Sequence, residues 1–292
     1  VGGYGLRVQA SNGSAAVNVE LDRLVLGGFF GPTVAGDVDL GTRLLNLLRL
    51  PPSLGLLVLF PTAVRRAATE GRAWLDTFYL TAVRCLATVL APAAAALMVG
   101  AEPLVRLWLG RPLPWAGATI VILAPAYAAN LIMGAATVVA RVEGRPGLET
   151  GYVLMSVGLN LALTVPLLML AGPLGVPAAT SLSVAVATGY FLLHFHRATR
   201  RPVRPVLRVL WPPVAVSVAA GASTALLAAV LPLPDGPGRL SAALAVTTRA
   251  GLTVGLAVAL LVSCGYLRAD DRARLRALAG RARVVASTGA HR

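Results

Sequence analysis

The chain has no lysine, and among its 292 residues it has two cysteines, three histidines and only 13% charged side chains. Each scarcity excludes something. Cys85 and Cys264, far apart and each within an apolar stretch, supply neither a disulfide framework nor a spaced metal motif, and are expected as packing residues. His194 and His196 fall at one end of an apolar segment and His291 in the tail, where an imidazole at a membrane interface is expected rather than a metal ligand. No metal site and no cofactor are expected. A Walker-type phosphate loop, a Gly-x-Ser-x-Gly elbow and any soluble loop long enough for a catalytic domain are also missing, so nothing points to an enzyme. No basic stretch precedes the first apolar segment, which is too long and too polar for a signal peptide. That every basic side chain is arginine is ascribed to the base composition of the source genome.

What the chain does have is apolar mass: 57% hydrophobic residues and a mean hydropathy of +0.75, the composition of a membrane protein. Apolar windows of about 20 residues, enough to cross a hydrocarbon core of roughly 30 Å as helix, recur about eight times. The expected spans are Leu6 to Phe30, Val34 to Phe60, Leu75 to Val99, Pro114 to Ala140, Leu148 to Ala171, Leu174 to His194, Val206 to Leu231 and Leu240 to Tyr266. The fold class is all-α, a polytopic transmembrane helical bundle. Pro51 and Pro52, Pro92, Pro125, Pro166, Pro212 and Pro213 fall inside these spans, so several helices are expected to kink.

The net charge of +14 is distributed by connector. Arg65, Arg66 and Arg72 follow the second span, Arg141 and Arg145 the fourth, Arg197, Arg200, Arg201, Arg204 and Arg208 the sixth. The opposite connectors hold only Arg106, Arg111 and Arg239. This is the positive-inside pattern and predicts both termini in the cytoplasm; it speaks for a membrane rather than for nucleic acid. From Leu267 to Arg292, seven arginines stand against two acids, the composition of either a basic segment on the anionic inner leaflet or a solvated tail.

Ionisable residues inside the first two spans are the unusual feature. At 100° per residue, Arg7, Ser11, Ser14, Asn18 and Asp22 form one stripe, with Glu20 and Arg23 on a second face, so the first helix is expected inside the bundle. In the second span Asp39, Thr42, Arg43, Asn46, Arg49 and Ser53 fall within an arc of about 120°. Charge at membrane depth costs about 2.5 kcal/mol or more and is kept where it faces a partner or a wet cavity. Asp22 with Arg23, and Asp39 with Arg43, can pair as helix staples. Arg49 has no acid three or four residues away, so its counter-charge must come from another helix or from a ligand.

The run from Asp22 to Arg72, DRLVLGGFFGPTVAGDVDLGTRLLNLLRLPPSLGLLVLFPTAVRRAATEGR, resembles polysaccharide and lipid-linked oligosaccharide flippases of the multidrug/oligosaccharidyl-lipid/polysaccharide exporter superfamily. Shared are an acid and a base near a helix end, a Gly-Pro turn, an Arg-Leu pair, a Leu-Pro break and a Phe-Pro end before a basic loop. The stretch Glu102 to Ala126 is similar to the family's next outer loop and helix. Where the family usually places an aromatic, this chain has Asp37 and Val38 after Gly36.

The resemblance implies that residues 1–198 form a six-helix lobe, 199–266 two further helices and 267–292 a basic cytoplasmic tail. It further implies a flippase of the bacterial cytoplasmic membrane that moves a lipid-linked, diphosphate-bearing saccharide for cell-surface polysaccharide assembly. Arg43, Arg49 and Arg23 would hold the diphosphate, and Asp22, Asp39, Asn18, Asn46 and Glu20 would line the cavity or balance charge. Such proteins have two lobes, and this chain begins where the second would begin, so a separate N-terminal lobe or a second copy is an expected partner beside membrane lipids. The rival readings are a cation-coupled multidrug exporter, which would want acids without arginines, and a non-transporting scaffold, in which the polar stripes would be consumed by mutual pairs. A membrane-embedded transferase would have only His194 and His196 to work with.

Overall fold

The computed structural model describes residues 22–231, 236 and 238–267. Among them every regular element is helical: α1 (22–30), α2 (Pro32–Leu109), α3 (Pro114–Val142), α4 (Gly147–Ala171), a single 3-10 turn (Gly172–Leu174), α5 (Gly175–Thr199), α6 (Arg204–Val230) and α7 (Arg239–Ser263). Asn18, Glu20 and almost all of the basic tail lie outside the described residues.

Glycine sets two of the chain reversals. Gly31, at φ 85°, separates α1 from α2. At 78 residues, α2 would run about 117 Å if straight, several times a bilayer core. It is instead broken at Gly71, whose φ of 74° and ψ of −162° are non-helical and open to a residue without a Cβ. The loop expected between Phe60 and Leu75 is thus mostly helix, because PTAVRRAATE is rich in good helix formers. None of the prolines breaks its helix: Pro51, Pro52, Pro61, Pro92 and Pro103 are all carried inside α2, whose only non-helical residue is Gly71.

Five stretches are long and apolar enough to cross a membrane: Arg49–Leu109, Pro114–Val142, Gly147–Thr199, Arg204–Val230 and Arg239–Ser263. This is compatible with a multi-pass membrane protein. The expected count of about eight is not recovered, for three structural reasons. Most of the first span lies outside the described residues, the second and third share α2, and only one 3-10 turn divides α4 from α5.

The core lies where the second limb of α2 meets α3 and α5: Leu75, Tyr79, Val83 and Ala87 pack with Ile132, Ala136 and Phe191. Small residues allow close approach there and nearby, as helix association in an apolar solvent requires. A Cβ on Gly41 would stand 2.5 Å from the Ala116 carbonyl oxygen, so the first limb of α2 touches the α3 backbone itself. The helices α6 and α7 pack on α2 and on each other, with Gly221 seated against Ala95. Cys85 and Cys264, expected to be packed, are both exposed, Cys264 lying just beyond the end of α7.

Contacts gather the arginine-rich connectors at one end of the bundle. Arg72 donates to the Thr199 carbonyl and Arg145 to that of Ala198. Arg201, its side chain only 4% exposed, donates from Nε to Asp76 at 2.7 Å and lies 2.8 Å from Glu143. Burial disfavours the Arg201 charge, but hydrogen bonds to Glu143 and Asp76 and their negative charges hold its pKa above the usual guanidinium value. His196 is buried beneath, bonded to Tyr79 and to the Arg201 carbonyl.

Candidate functional site

The polar stripe of the first limb of α2 faces a cavity of about 260 Å³, walled by α1, α2, α3, α4 and α5. Asp22 and Arg23 enter from α1, and Asp39, Thr42, Asn46 and Arg49 from α2. A second cavity of about 270 Å³ continues from it and shares Arg49, Asn130 and Tyr152 with it, reaching the Arg141 and Glu149 pair. Between them the two cavities, lined by polar and apolar side chains alike, reach from Asp22 to the Arg141 and Glu149 pair.

Asp39 is the hub of one cluster. Arg23 donates to its Oδ1 from Nε at 2.9 Å and from NH2 at 2.6 Å, and Arg43 Nε lies 2.7 Å from its Oδ2. The pair expected between Asp39 and Arg43 is present. Asp22 and Arg23 part company because neighbours on a helix point about 100° apart. Arg23 turns to α2, whereas Asp22 turns to α5 and accepts from the Thr180 hydroxyl at 3.2 Å. Behind it, fully buried Asn160 donates to the same hydroxyl at 2.9 Å.

Arg49 is held differently. It donates to the amide oxygens of Asn46 and Asn130 at 3.3 and 3.4 Å, and its guanidinium lies 4.3 Å from the centroid of the Tyr127 ring. Asn130 passes the chain on, donating to the Tyr152 hydroxyl at 2.6 Å. Among the described residues no carboxylate pairs with Arg49, so neutral dipoles and a ring face support its charge.

Arg43 is placed differently from the other expected residues. Its side chain is 63% exposed and borders an apolar groove with Leu47, Leu50 and Trp108 rather than the cavity. The reason is angular: six residues of helix put Arg43 and Arg49 about 120° apart, at opposite edges of the stripe. Arg23, Arg49, Asp22, Asp39 and Asn46 all line the cavity. The sequence reading missed Tyr127 and Asn130 on α3, Tyr152 and Ser156 on α4 and Thr180 on α5, which complete the lining. Their signal was spacing: Tyr127 with Asn130 and Tyr152 with Ser156 are polar pairs three and four apart in otherwise apolar helices.

What this arrangement can do is bind an anion. It offers guanidinium donors, amide and hydroxyl groups; the carboxylates of Asp22 and Asp39 also line the cavity, but they are engaged by Thr180 and by Arg23 and Arg43 rather than by Arg49. No three His, Cys, Asp or Glu side chains come together as a metal-binding group among the described residues. Compared with protein-family models, curated proteins and solved structures, the chain matches none.

Proposed function

We propose that the chain is part of a flippase that carries a lipid-linked, diphosphate-bearing saccharide across a bacterial cytoplasmic membrane by alternating access, and that it has no enzymatic activity. The observation that carries this reading is Arg49, a cation in a polar cavity with no carboxylate partner among the described residues. A diphosphate would complete it, since the planar guanidinium matches phosphate oxygens two at a time. Arg23 is occupied by Asp39 and would serve as a second contact if the cargo displaced that carboxylate. The resemblance of residues 22–72 to polysaccharide flippases supports the choice of cargo.

In this reading the chain crosses the membrane about eight times, with the break at Gly71 and the 3-10 turn each marking a reversal, and the arginine-rich end faces the cytoplasm. Arg43, Asn46 and Ser53 are exposed along the first limb of α2 at membrane depth, a costly surface for lipid. A second lobe or a second copy covers it and closes the cavity. The test is complementation: in a strain depleted of its lipid-linked saccharide flippase, the gene region encoding this chain restores surface polysaccharide. A chain that inserts at normal abundance, with its encoded neighbours present, and restores none contradicts the proposal.

A further inference from the structure

A second polar feature sits away from the cavity, at the arginine-rich end. Between the first turns of α4 and the last turns of α5 lies a cleft of about 300 Å³, lined by Arg145, Gly147, Leu148, Gly151, Tyr190 and His194. Its floor exists because two glycines four apart share one face of α4. A Cβ on Gly147 would meet nothing within 4 Å, and one on Gly151 only the edge of Tyr190 at 3.8 Å.

Arg145 is fixed across the cleft by donating to the Ala198 carbonyl, and the exposed His194 ring stacks on Tyr190 with centroids 5.7 Å apart. The neighbouring acids are engaged elsewhere. Glu149 accepts from Arg141 at 2.9 and 2.6 Å, and Glu143 lies on Arg201. No carboxylate among the described residues pairs with Arg145, and Arg197 and Arg200 add exposed positive charge at the same end. The cleft is therefore cationic.

Farther along the same two helices the exposed surface is apolar. Gly147, Gly151, Leu154 and Gly158 follow one another on the same face of α4, and Leu154, Val186 and Tyr190 are 65%, 41% and 41% exposed. A charged rim above an apolar, glycine-floored groove between helices matches a phospholipid, with its phosphate at the rim and a chain below.

We propose that this cleft binds the phosphate of an anionic phospholipid of the surrounding membrane, held by Arg145 and His194, with one acyl chain along the groove between α4 and α5. The site is independent of the cavity and of the cargo, and requires only that the apolar helices sit in a bilayer.

The experiment is native mass spectrometry of the full chain in a neutral detergent, titrated with dioleoylphosphatidylglycerol or dioleoylphosphatidylcholine, with and without inorganic phosphate. The expected preference for phosphatidylglycerol is about fivefold or more, the effect of a basic residue at an anionic surface. Arg145→Gln and Gly151→Leu should each bring it below about twofold, the first by removing the charge and the second by filling the floor. Arg197→Gln removes the same charge outside the cleft and should leave the preference unchanged. Equal binding of the two lipids would overturn the proposal, as would an Arg197→Gln loss matching that of Arg145→Gln, which would mean diffuse attraction. Inorganic phosphate competing as well as the lipid would reassign the cleft to a free anion.

Discussion

Replacing Arg49 by alanine separates its contribution to stability from the cargo binding proposed for it. Its intramolecular contacts are weak: two hydrogen bonds at 3.3 and 3.4 Å to neutral amide oxygens, and a ring contact at 4.3 Å. A cation over an aromatic ring contributes about 0.5–2 kcal/mol and such long bonds little more, so the loss of stability should be about 1–2 kcal/mol. That should leave membrane abundance near normal. A charged hydrogen bond to a diphosphate is worth about 1.5–3 kcal/mol, so cargo binding should fall roughly 10- to 150-fold.

The assay is complementation of a flippase-depleted strain, with a membrane-abundance blot alongside. Lysine should rescue only partly, because it keeps the charge but loses the planar fork and the stacking on Tyr127. Arg43→Ala should retain more transport than Arg49→Ala, since Arg43 lies outside the cavity lining. If the Arg49→Ala protein vanishes from the membrane, Arg49 is a structural staple. If it transports normally, Arg49 is a bystander. Either outcome refutes the reasoning.

Three further outcomes follow from the packing. Arg201→Ala removes the buried cation that Asp76 and Glu143 share; because those carboxylates are partly solvated and Asp76 keeps Arg72 at 4.0 Å, it should cost about 1–3 kcal/mol, read as a fall in the midpoint of thermal unfolding in detergent. Gly41→Ala drives a methyl into the Ala116 carbonyl and should cost about 1–3 kcal/mol by the same measurement, whereas Gly36→Ala, within the helix and with open space around it, should be neutral or stabilising by up to about 1 kcal/mol. With Cys85 and Cys264 removed, single cysteines near Arg66, Arg145 and Arg201 should be shielded from impermeant thiol reagents in intact cells. Cysteines near Thr33, Pro112 and Pro237 should react, and the opposite pattern would invert the proposed orientation.

The charged cavity was legible in outline because a helix converts sequence spacing into a face: Asp39, Thr42, Asn46 and Arg49 could be grouped by arithmetic alone. Partner choice could not be read this way. Arg23 selects Asp39, 16 residues away across a turn, over its neighbour Asp22, because only the packing of α1 on α2 brings those groups together. Arg43 shows the limit of a stripe 120° wide, whose two edges face different surroundings. The contributions of Tyr127, Asn130, Tyr152 and Thr180 were hidden because each is a few polar atoms in an apolar helix. The turn at Gly71 was misread for a local reason: a connector built from alanine, arginine and glutamate remains helical, so one glycine makes the break where a loop was expected.

The central claim, that this cavity recognises a diphosphate joined to a lipid, is tested most directly by affinity. The purified protein in detergent is titrated with a short-chain polyprenyl diphosphate saccharide, with the corresponding monophosphate and with the neutral polyprenyl saccharide, and the series is repeated with Arg49→Gln. The account predicts tightest binding of the diphosphate, then the monophosphate, then the neutral lipid, with the order collapsing in Arg49→Gln. Equal affinity for all three, or an order unchanged by the substitution, would contradict it.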